Sequence, residues 1–240
     1  GQCRTFTSRS ASSACSASLT QTQCAVHRCG VARPVSARYS RLLRPPENGP
    51  TAGTPGFLSP LESPPNGRGD VTSQYAYWLM KSEPQWEVLN RGVNGERSDQ
   101  IAARFARDVI DQSPAAVVII AGVNDVYQGR TADHVTGHLR TMYDRAAHAG
   151  IRVVAGSIVP YNTATADQNE RMRRINAWIR EQERSDPAIA FVDTRAAVAA
   201  AGNPDRLADS PDELHPSPPG YRQMADAIRP VLAGTLRGIL

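Results

Sequence analysis

The chain has 240 residues, of which 40% are hydrophobic, and it carries a formal net charge of +4 at neutral pH. This length fits one sizeable α/β domain with a substantial core, and no apolar run approaches the roughly 18 residues that a membrane-spanning helix needs. Seven arginines and no acidic residue lie in residues 1–46, so the remainder holds 20 basic against 23 acidic residues. Because the remainder shows no basic cluster interleaved with aromatic residues, we expect no nucleic-acid partner.

The N-terminal segment has a composition of its own. Residues 1–56 are rich in Ser, Arg, Pro, Gly and Ala and show no helical or strand period, so we predict a disordered low-complexity segment ahead of one α/β domain at residues 57–240. The segment lacks both the apolar core of a secretory signal and the clear amphipathicity of a transit peptide, and the sequence therefore predicts no compartment. It also lacks the paired Cys-x2-Cys spacing typical of zinc sites, although it contains all four cysteines, Cys3, Cys15, Cys24 and Cys29.

Regular hydrophobic patterns begin at Gln74. Apolar residues spaced three to four apart predict helices, and short continuous apolar runs bounded by turn residues predict strands. In chain order the pattern predicts a helix at 75–81, a strand at 86–89, a helix with Ser98 as its N-cap, a strand at 115–121, a helix at 131–149, a strand at 151–157, a helix at 167–185, a strand at 189–192, a short helix at 196–201 and a final helix at 220–236. This alternation predicts a parallel sheet with helices on both faces.

Two loops that follow predicted strands carry residues suited to chemistry. The run at 115–121 ends in Gly122-Val123-Asn124-Asp125, which predicts that a buried strand delivers a glycine and an amide to the carboxyl edge of the sheet. Open α/β folds keep their sites at that edge. We expect Asp125 to hold the turn rather than to act as a second functional acid. A glycine-containing loop at residues 90–98 follows the preceding strand.

A third motif lies between the last strand and the final helix. Asp212-Glu213-Leu214-His215-Pro216 places a carboxylate and an imidazole three residues apart in a proline-rich, non-helical segment. A serine hydrolase needs an imidazole to accept the proton of the hydroxyl and a carboxylate to orient that imidazole. The alternative is an unrelated pair of polar residues in a surface loop.

Together the three motifs resemble those of the SGNH (GDSL-type) hydrolases, which include arylesterases, thioesterases and lysophospholipases, and the resemblance covers about residues 74–235. It implies a three-layer α/β/α sandwich with a parallel, flavodoxin-like sheet, of which the first strand is poorly defined in this sequence. It also implies hydrolysis of carboxylic esters or thioesters through an acyl-serine intermediate, with no metal or organic cofactor.

The resemblance also implies roles for single residues. His215 would be the general base and Asp212 its orienting carboxylate, while the backbone N–H of Gly95 and the side chain of Asn124 would form the oxyanion hole. Tyr161, in the loop after the strand at 151–157, is a candidate lining residue for an acyl pocket, and an exposed tyrosine without that role is the alternative.

The nucleophile motif is the one part of the family pattern that is not recognisable in this sequence. Members of the family begin with a buried strand that ends in Gly-Asp-Ser, and no such strand is evident here. Ser59 lies where the serine is expected, 36 residues before Gly95, but Phe57 and Leu58 replace the Gly and Asp. Ser73 is a second candidate, and a missing or displaced nucleophile is the third possibility.

Three functions therefore stay open. The first is a serine esterase acting on a small acyl ester. The second is a carbohydrate O-deacetylase or an acyltransferase, which use the same serine chemistry. The third is an SGNH-fold protein that binds a ligand without turning it over because it lacks a proper nucleophile. The sequence determines neither the natural substrate nor the oligomeric state.

Overall fold

The computed structural model describes residues 23–28, by their backbone alone, and residues 71–237. The strands are β1 (Gln23–Arg28), β2 (Trp86–Asn90), β3 (Ala116–Ile119), β4 (Arg152–Gly156), β5 (Ile189–Val192), β6 (Ala199–Ala200) and β7 (Asn203–Leu207). The helices are α1 (Tyr75–Ser82), α2 (Ser98–Asp108), α3 (Val123–Tyr127), α4 (Ala132–His148), α5 (Ala166–Ser185), α6 (Thr194–Val198) and α7 (Pro218–Arg237). Short 3-10 helices span Val71–Ser73 and Ile110–Gln112.

The main sheet has five strands in the order β2-β1-β3-β4-β5. Strands β3, β4 and β5 pair in parallel. Strand β1 is antiparallel to both of its neighbours, so β2 and β3 point in the same direction. The carboxyl ends of β2, β3, β4 and β5 therefore meet at one edge of the sheet, as the sequence predicts. Strands β6 and β7 form a separate antiparallel pair.

The sheet lies between two apolar layers because alternate residues of its strands point to opposite faces. On one face Val117 and Val153 pack in a core cluster with residues of α2, α4 and α5. On the other face Val118 and Val154 pack with residues of α1, α6 and α7. Residues 116–120 of the β3 segment are fully buried, as expected for a strand covered on both faces. The predicted three-layer α/β/α sandwich is therefore confirmed.

Strand β1 corrects the expectation that residues 1–56 contain no regular structure. Cys24 lies opposite Asn90 on one side and Val118 on the other, so β1 completes the sheet between β2 and β3. Its formation depends on long-range pairing with two neighbours, which a local period does not reveal. The other residues of the segment, and the predicted domain boundary at residue 57, lie outside the described residues.

Two local predictions are wrong at helix starts. The short helix predicted at 196–201 begins at Thr194 instead, because the Asp193 side chain accepts a hydrogen bond from the Ala196 N–H and caps the helix. The following residues, 199–200, pair with β7. Ser98 is the first residue of α2 rather than its N-cap, and its side chain bonds elsewhere, as described below.

No helix in the described ranges combines the length and apolar character needed to cross a membrane.

The packing between the strands makes a prediction about one glycine. In Gly156→Ala the new Cβ would lie 2.6 Å from Cγ1 of the fully buried Ile120. We expect this overpacking to lower the free energy of unfolding by about 1–3 kcal/mol, measured by urea denaturation. The matched control is Gly137→Ala in the middle of α4, where the added Cβ meets nothing within 4 Å among the described residues. That variant should gain up to about 1 kcal/mol through its higher helix propensity, and equal effects at both positions would contradict the packing described here.

Candidate active site

The predicted carboxylate–imidazole pair is formed. Nδ1 of His215 lies 2.6 Å from Oδ2 of Asp212, and each side chain is 9% exposed. The other carboxylate oxygen of Asp212 accepts hydrogen bonds from the backbone N–H groups of His215, at 2.8 Å, and Leu214, at 3.0 Å. With the carboxylate accepting the Nδ1 proton, the neutral ring carries its basic lone pair on Nε2. The alternative, that Asp212 and His215 are unrelated residues of a surface loop, is therefore wrong, because their side chains are buried and hydrogen-bonded to each other.

The backbone of this loop is held from both sides. Glu213 has a φ of 64°, in the left-handed region, which turns the chain sharply enough for one carboxylate to reach three groups of its own loop. The Glu213 carbonyl accepts a hydrogen bond from the Asn162 N–H at 2.7 Å, and the Asp209 carbonyl accepts one from Ser217 at 3.2 Å. The first bond joins the His215 loop to the loop after β4, so both loops have fixed positions at the carboxyl edge of the sheet.

The electrostatics of the pair favour an ionised carboxylate. Burial on its own would raise the pKa of Asp212, but the hydrogen bonds from the His215 ring and from the backbone of His215 and Leu214 outweigh it and lower the pKa. Asp212 is therefore a carboxylate across the neutral range and can orient and stabilise an imidazolium.

The predicted oxyanion-hole residues lie after β2 and β3, whose carboxyl ends point the same way. Gly95 has a φ of 78°, a conformation that a side chain would disfavour. Asn124 lies in the first turn of α3, is 3% exposed, and donates from Nδ2 to the Glu96 carbonyl at 2.9 Å. This bond joins the amide directly to the glycine loop and fixes its plane. The role of Gly95 and Asn124 as oxyanion donors stays a prediction.

Asp125 forms a second link between the same two loops. It is fully buried, and its two carboxylate oxygens accept hydrogen bonds from the Ser98 N–H at 2.8 Å and the Ser98 hydroxyl at 2.7 Å. Burial raises the pKa of Asp125, while the Ser98 hydrogen bonds act in the opposite direction. The expected structural role of Asp125 thus extends beyond its own turn, since it joins α3 to the end of the glycine loop.

Tyr161 is buried rather than exposed, so the alternative of an exposed loop tyrosine is wrong. Its side chain is 1% exposed and packs edge-on against Tyr127, with ring centroids 5.8 Å apart. Burial raises its pKa to about 12. Tyr127 itself is 39% exposed and lies three residues after Asn124. The role of Tyr161 in an acyl pocket stays a prediction.

The structure describes one of the two candidate nucleophiles, Ser73, because Ser59 lies outside the described residues. Ser73 ends a 3-10 helix and is 3% exposed, which leaves little room for a substrate carbonyl at its hydroxyl. Strand β1 occupies the sheet position between the two oxyanion loops, but it runs antiparallel, with Gln23 beside Ile119 at the carboxyl edge. The carboxyl end of β1, at Arg28, therefore lies at the opposite edge of the sheet, beside Trp86.

The link through Asp125 generates a stability prediction. In Asp125→Asn the amide oxygen still accepts from the Ser98 N–H, but the amide N–H faces the Ser98 hydroxyl, so a charge-assisted buried hydrogen bond is replaced by a weaker neutral one. We expect a loss of about 1–3 kcal/mol in the free energy of unfolding, measured by urea denaturation. Asp133→Asn, on the strongly exposed Asp133 side chain of α4, is the matched control and should change it by less than about 0.5 kcal/mol. Equal losses in the two variants would contradict the role of Asp125.

The lowered pKa of Asp212 predicts how its contribution depends on pH. Because the pKa is lower in the folded than in the unfolded state, the ionised carboxylate stabilises the fold above the unfolded pKa of about 4. This stabilisation is lost as the pH falls through the folded-state value. The difference in unfolding free energy between wild type and Asp212→Asn should therefore shrink as the pH falls below about 4. A difference that stays unchanged as the pH falls from about 4 to about 2 would contradict this assignment.

Comparison with known proteins identifies the family of this chain. A family model described as the GDSL-like lipase/acylhydrolase family matches residues 51–223. The chain is 26% identical over 150 residues to a bovine (Bos taurus) platelet-activating factor acetylhydrolase IB subunit alpha1, with 60% of this chain and 63% of that protein covered. It is 30% identical over 155 residues to an acetylxylan esterase of Geobacillus stearothermophilus, with 58% of this chain and 69% of that protein covered. The chain thus spans less than two thirds of the bovine relative.

A solved structure supports the same relationship. The crystal structure of a GDSL-like lipase from Bacteroides thetaiotaomicron superposes with a TM-score of 0.53 at 28% sequence identity, covering 61% of this chain and 73% of that one. The family model covers well over half of the chain and includes the glycine loop, the Asn124 turn and the His215 loop. The chain belongs to the GDSL-like lipase/acylhydrolase family.

Proposed function

We propose that this chain hydrolyses carboxylic esters or thioesters of small acyl groups through an acyl-serine intermediate. The observation that carries the proposal is the buried Asp212–His215 pair, with 2.6 Å between the carboxylate and Nδ1. This pair lies in a chain whose Gly95 loop and Asn124 turn are joined at the carboxyl edge of the sheet. The names of both relatives, the bovine acetylhydrolase subunit and the bacterial acetylxylan esterase, refer to acetyl groups. An acetyl ester is therefore the first substrate to test.

In the proposed reaction, Nε2 of His215 accepts the proton of the nucleophile hydroxyl as that oxygen bonds to the acyl carbon. Asp212 orients the ring and stabilises the resulting imidazolium. The former carbonyl oxygen becomes negative and accepts hydrogen bonds from the Gly95 N–H, from Nδ2 of Asn124 and from the N–H of the nucleophile.

Collapse of this tetrahedral intermediate breaks the bond to the leaving alcohol or thiol, which takes the proton from His215. Water then attacks the acyl-serine while Nε2 of His215 accepts a proton from it. His215 returns that proton to the serine oxygen as the acid is released. Ser59 is the proposed nucleophile, on the grounds of its spacing from Gly95.

One observation favours a second candidate function. The sheet position between β2 and β3 is filled by the antiparallel β1, whose own carboxyl end lies at the edge opposite to the Gly95 loop and the Asn124 turn. The alternative is therefore a protein that keeps the base and the oxyanion donors but binds an acyl or acetylated ligand without turnover. Deacetylation of carbohydrates and acyl transfer differ from the main proposal only in the group that bears or receives the acyl unit.

The experiment that tests the main proposal is hydrolysis of p-nitrophenyl acetate, butyrate and octanoate and of acetylated xylo-oligosaccharides. Asn124→Ala should lower kcat by about 10²- to 10³-fold, since one oxyanion donor contributes roughly 3–4 kcal/mol. Asn203→Ala, in the exposed end of β7, is the matched amide control and should keep wild-type turnover.

A parallel pair of variants tests the base. His215→Ala should abolish turnover, whereas His148→Ala, at the exposed end of α4, should retain it. Measurable wild-type turnover that survives His215→Ala would overturn the proposed mechanism. Ligand binding without turnover in the folded wild-type protein would establish the non-catalytic alternative.

A further inference from the structure

A cluster of potential metal ligands lies beside the oxyanion turn but outside the proposed machinery. One oxygen each of Asp99 and Asp125 and one ring nitrogen of His134 all lie within 4.8 Å of one another. The three residues come from the first turns of α2, α3 and α4, so three separate elements of the fold converge on this point. Neither the acyl-transfer steps nor the family motifs use Asp99 or His134.

His134 supplies the least satisfied group of the cluster. Its Nε2 atom is fully buried and finds no hydrogen-bond partner among the described residues, although the side chain as a whole is 30% exposed. Oδ1 of Asp125 lies 3.6 Å away, beyond the usual hydrogen-bond distance. Two ligand atoms each 2.0–2.2 Å from a tetrahedral zinc ion are about 3.4 Å apart. The separation of this nitrogen and oxygen is therefore close to that of two ligands of one metal ion.

The two carboxylates are held in place by other groups, as metal-binding carboxylates usually are. Both oxygens of Asp125 accept hydrogen bonds from Ser98, and both oxygens of Asp99 accept from Arg97 at 3.0 Å. Each carboxylate oxygen has a second lone pair for a metal. The local formal charge, two carboxylates against one guanidinium, is negative.

A second histidine lies beside this cluster. One helical turn after His134 lies His138, whose ring centroid is 4.7 Å from that of His134. A pair of histidines four residues apart on one helix face is a known arrangement for binding zinc.

We propose that Asp99, Asp125 and His134 form a binding site for a divalent transition-metal ion such as Zn²⁺. The imidazole ligand favours such an ion over Mg²⁺ or Ca²⁺, which prefer oxygen ligands alone. The bound ion joins α4 to the Asp125–Ser98 link and thereby stabilises the junction of the two oxyanion loops. Its role is structural: the sequence-based expectation is that no metal is bound, and the proposed ion departs from that expectation without taking part in the acyl chemistry.

Isothermal titration calorimetry of the full chain with Zn²⁺ tests the proposal, with Mg²⁺ titrated in parallel. The cysteine thiols are first alkylated with iodoacetamide, because Cys3, Cys15, Cys24 and Cys29 offer competing ligands. We expect one Zn²⁺ site per chain, a rise in Tm on saturation, and no comparable site for Mg²⁺.

Variants assign the site to its residues. His134→Ala should weaken Zn²⁺ binding at least tenfold and remove the rise in Tm, and Asp99→Asn should weaken it to a smaller degree. His148→Ala, at the far end of the same helix, is the matched control and should bind like wild type. The absence of a Zn²⁺ site in the folded wild-type chain, or equal binding by His134→Ala and His148→Ala, would overturn the proposal. Circular dichroism of each variant verifies that it is folded.

Discussion

The two hydrogen bonds from Ser98 to the buried carboxylate of Asp125 hold together the parts on which the site depends. Ser98 ends the glycine loop after β2, and Asp125 follows Asn124 in the turn after β3. The strand between them, β1, is antiparallel to both, so the two loops meet across an intervening strand without support from direct β2–β3 pairing. A buried carboxylate with two short hydrogen bonds supplies that support, and the Asn124 bond to the Glu96 carbonyl adds to it.

The other half of the site is built locally. Asp212 accepts hydrogen bonds from the backbone of Leu214 and His215 and from the His215 ring, all within three residues of itself. The long helix α7, which packs against β4 and β5, follows this loop, and the Asn162 N–H bonds to its Glu213 carbonyl. The two halves thus differ in origin: the base and its orienting carboxylate come from one short motif, whereas the oxyanion donors require two distant loops to meet.

This difference explains how much the sequence predicts. The spacing of Asp212 and His215 and the buried run before Gly122 are local patterns, and both give the observed structures. The role of Ser98 is not predictable in this way, because a serine before an apolar helical period indicates an N-cap, whereas here it bonds to a carboxylate 27 residues away.

Long-range structure also accounts for the larger differences. The sequence pattern does not predict strand β1, because its pairing with β2 and β3, rather than its own residues, makes it a strand. The burial of Tyr161 likewise depends on contacts with α3 that a loop sequence does not reveal. The chain departs from the family pattern at the nucleophile, because neither Ser59 nor Ser73 lies in a Gly-Asp-Ser motif.

Labelling of the full chain with a fluorophosphonate probe, followed by peptide mapping, tests the central claim most directly, because the probe reacts with serines that a neighbouring base activates. We predict modification at Ser59 in the wild-type chain and none in His215→Ala. Modification at Ser73 would move the nucleophile to that residue. The absence of labelling in a folded wild-type chain, or labelling that persists in His215→Ala, would contradict the proposed serine hydrolase.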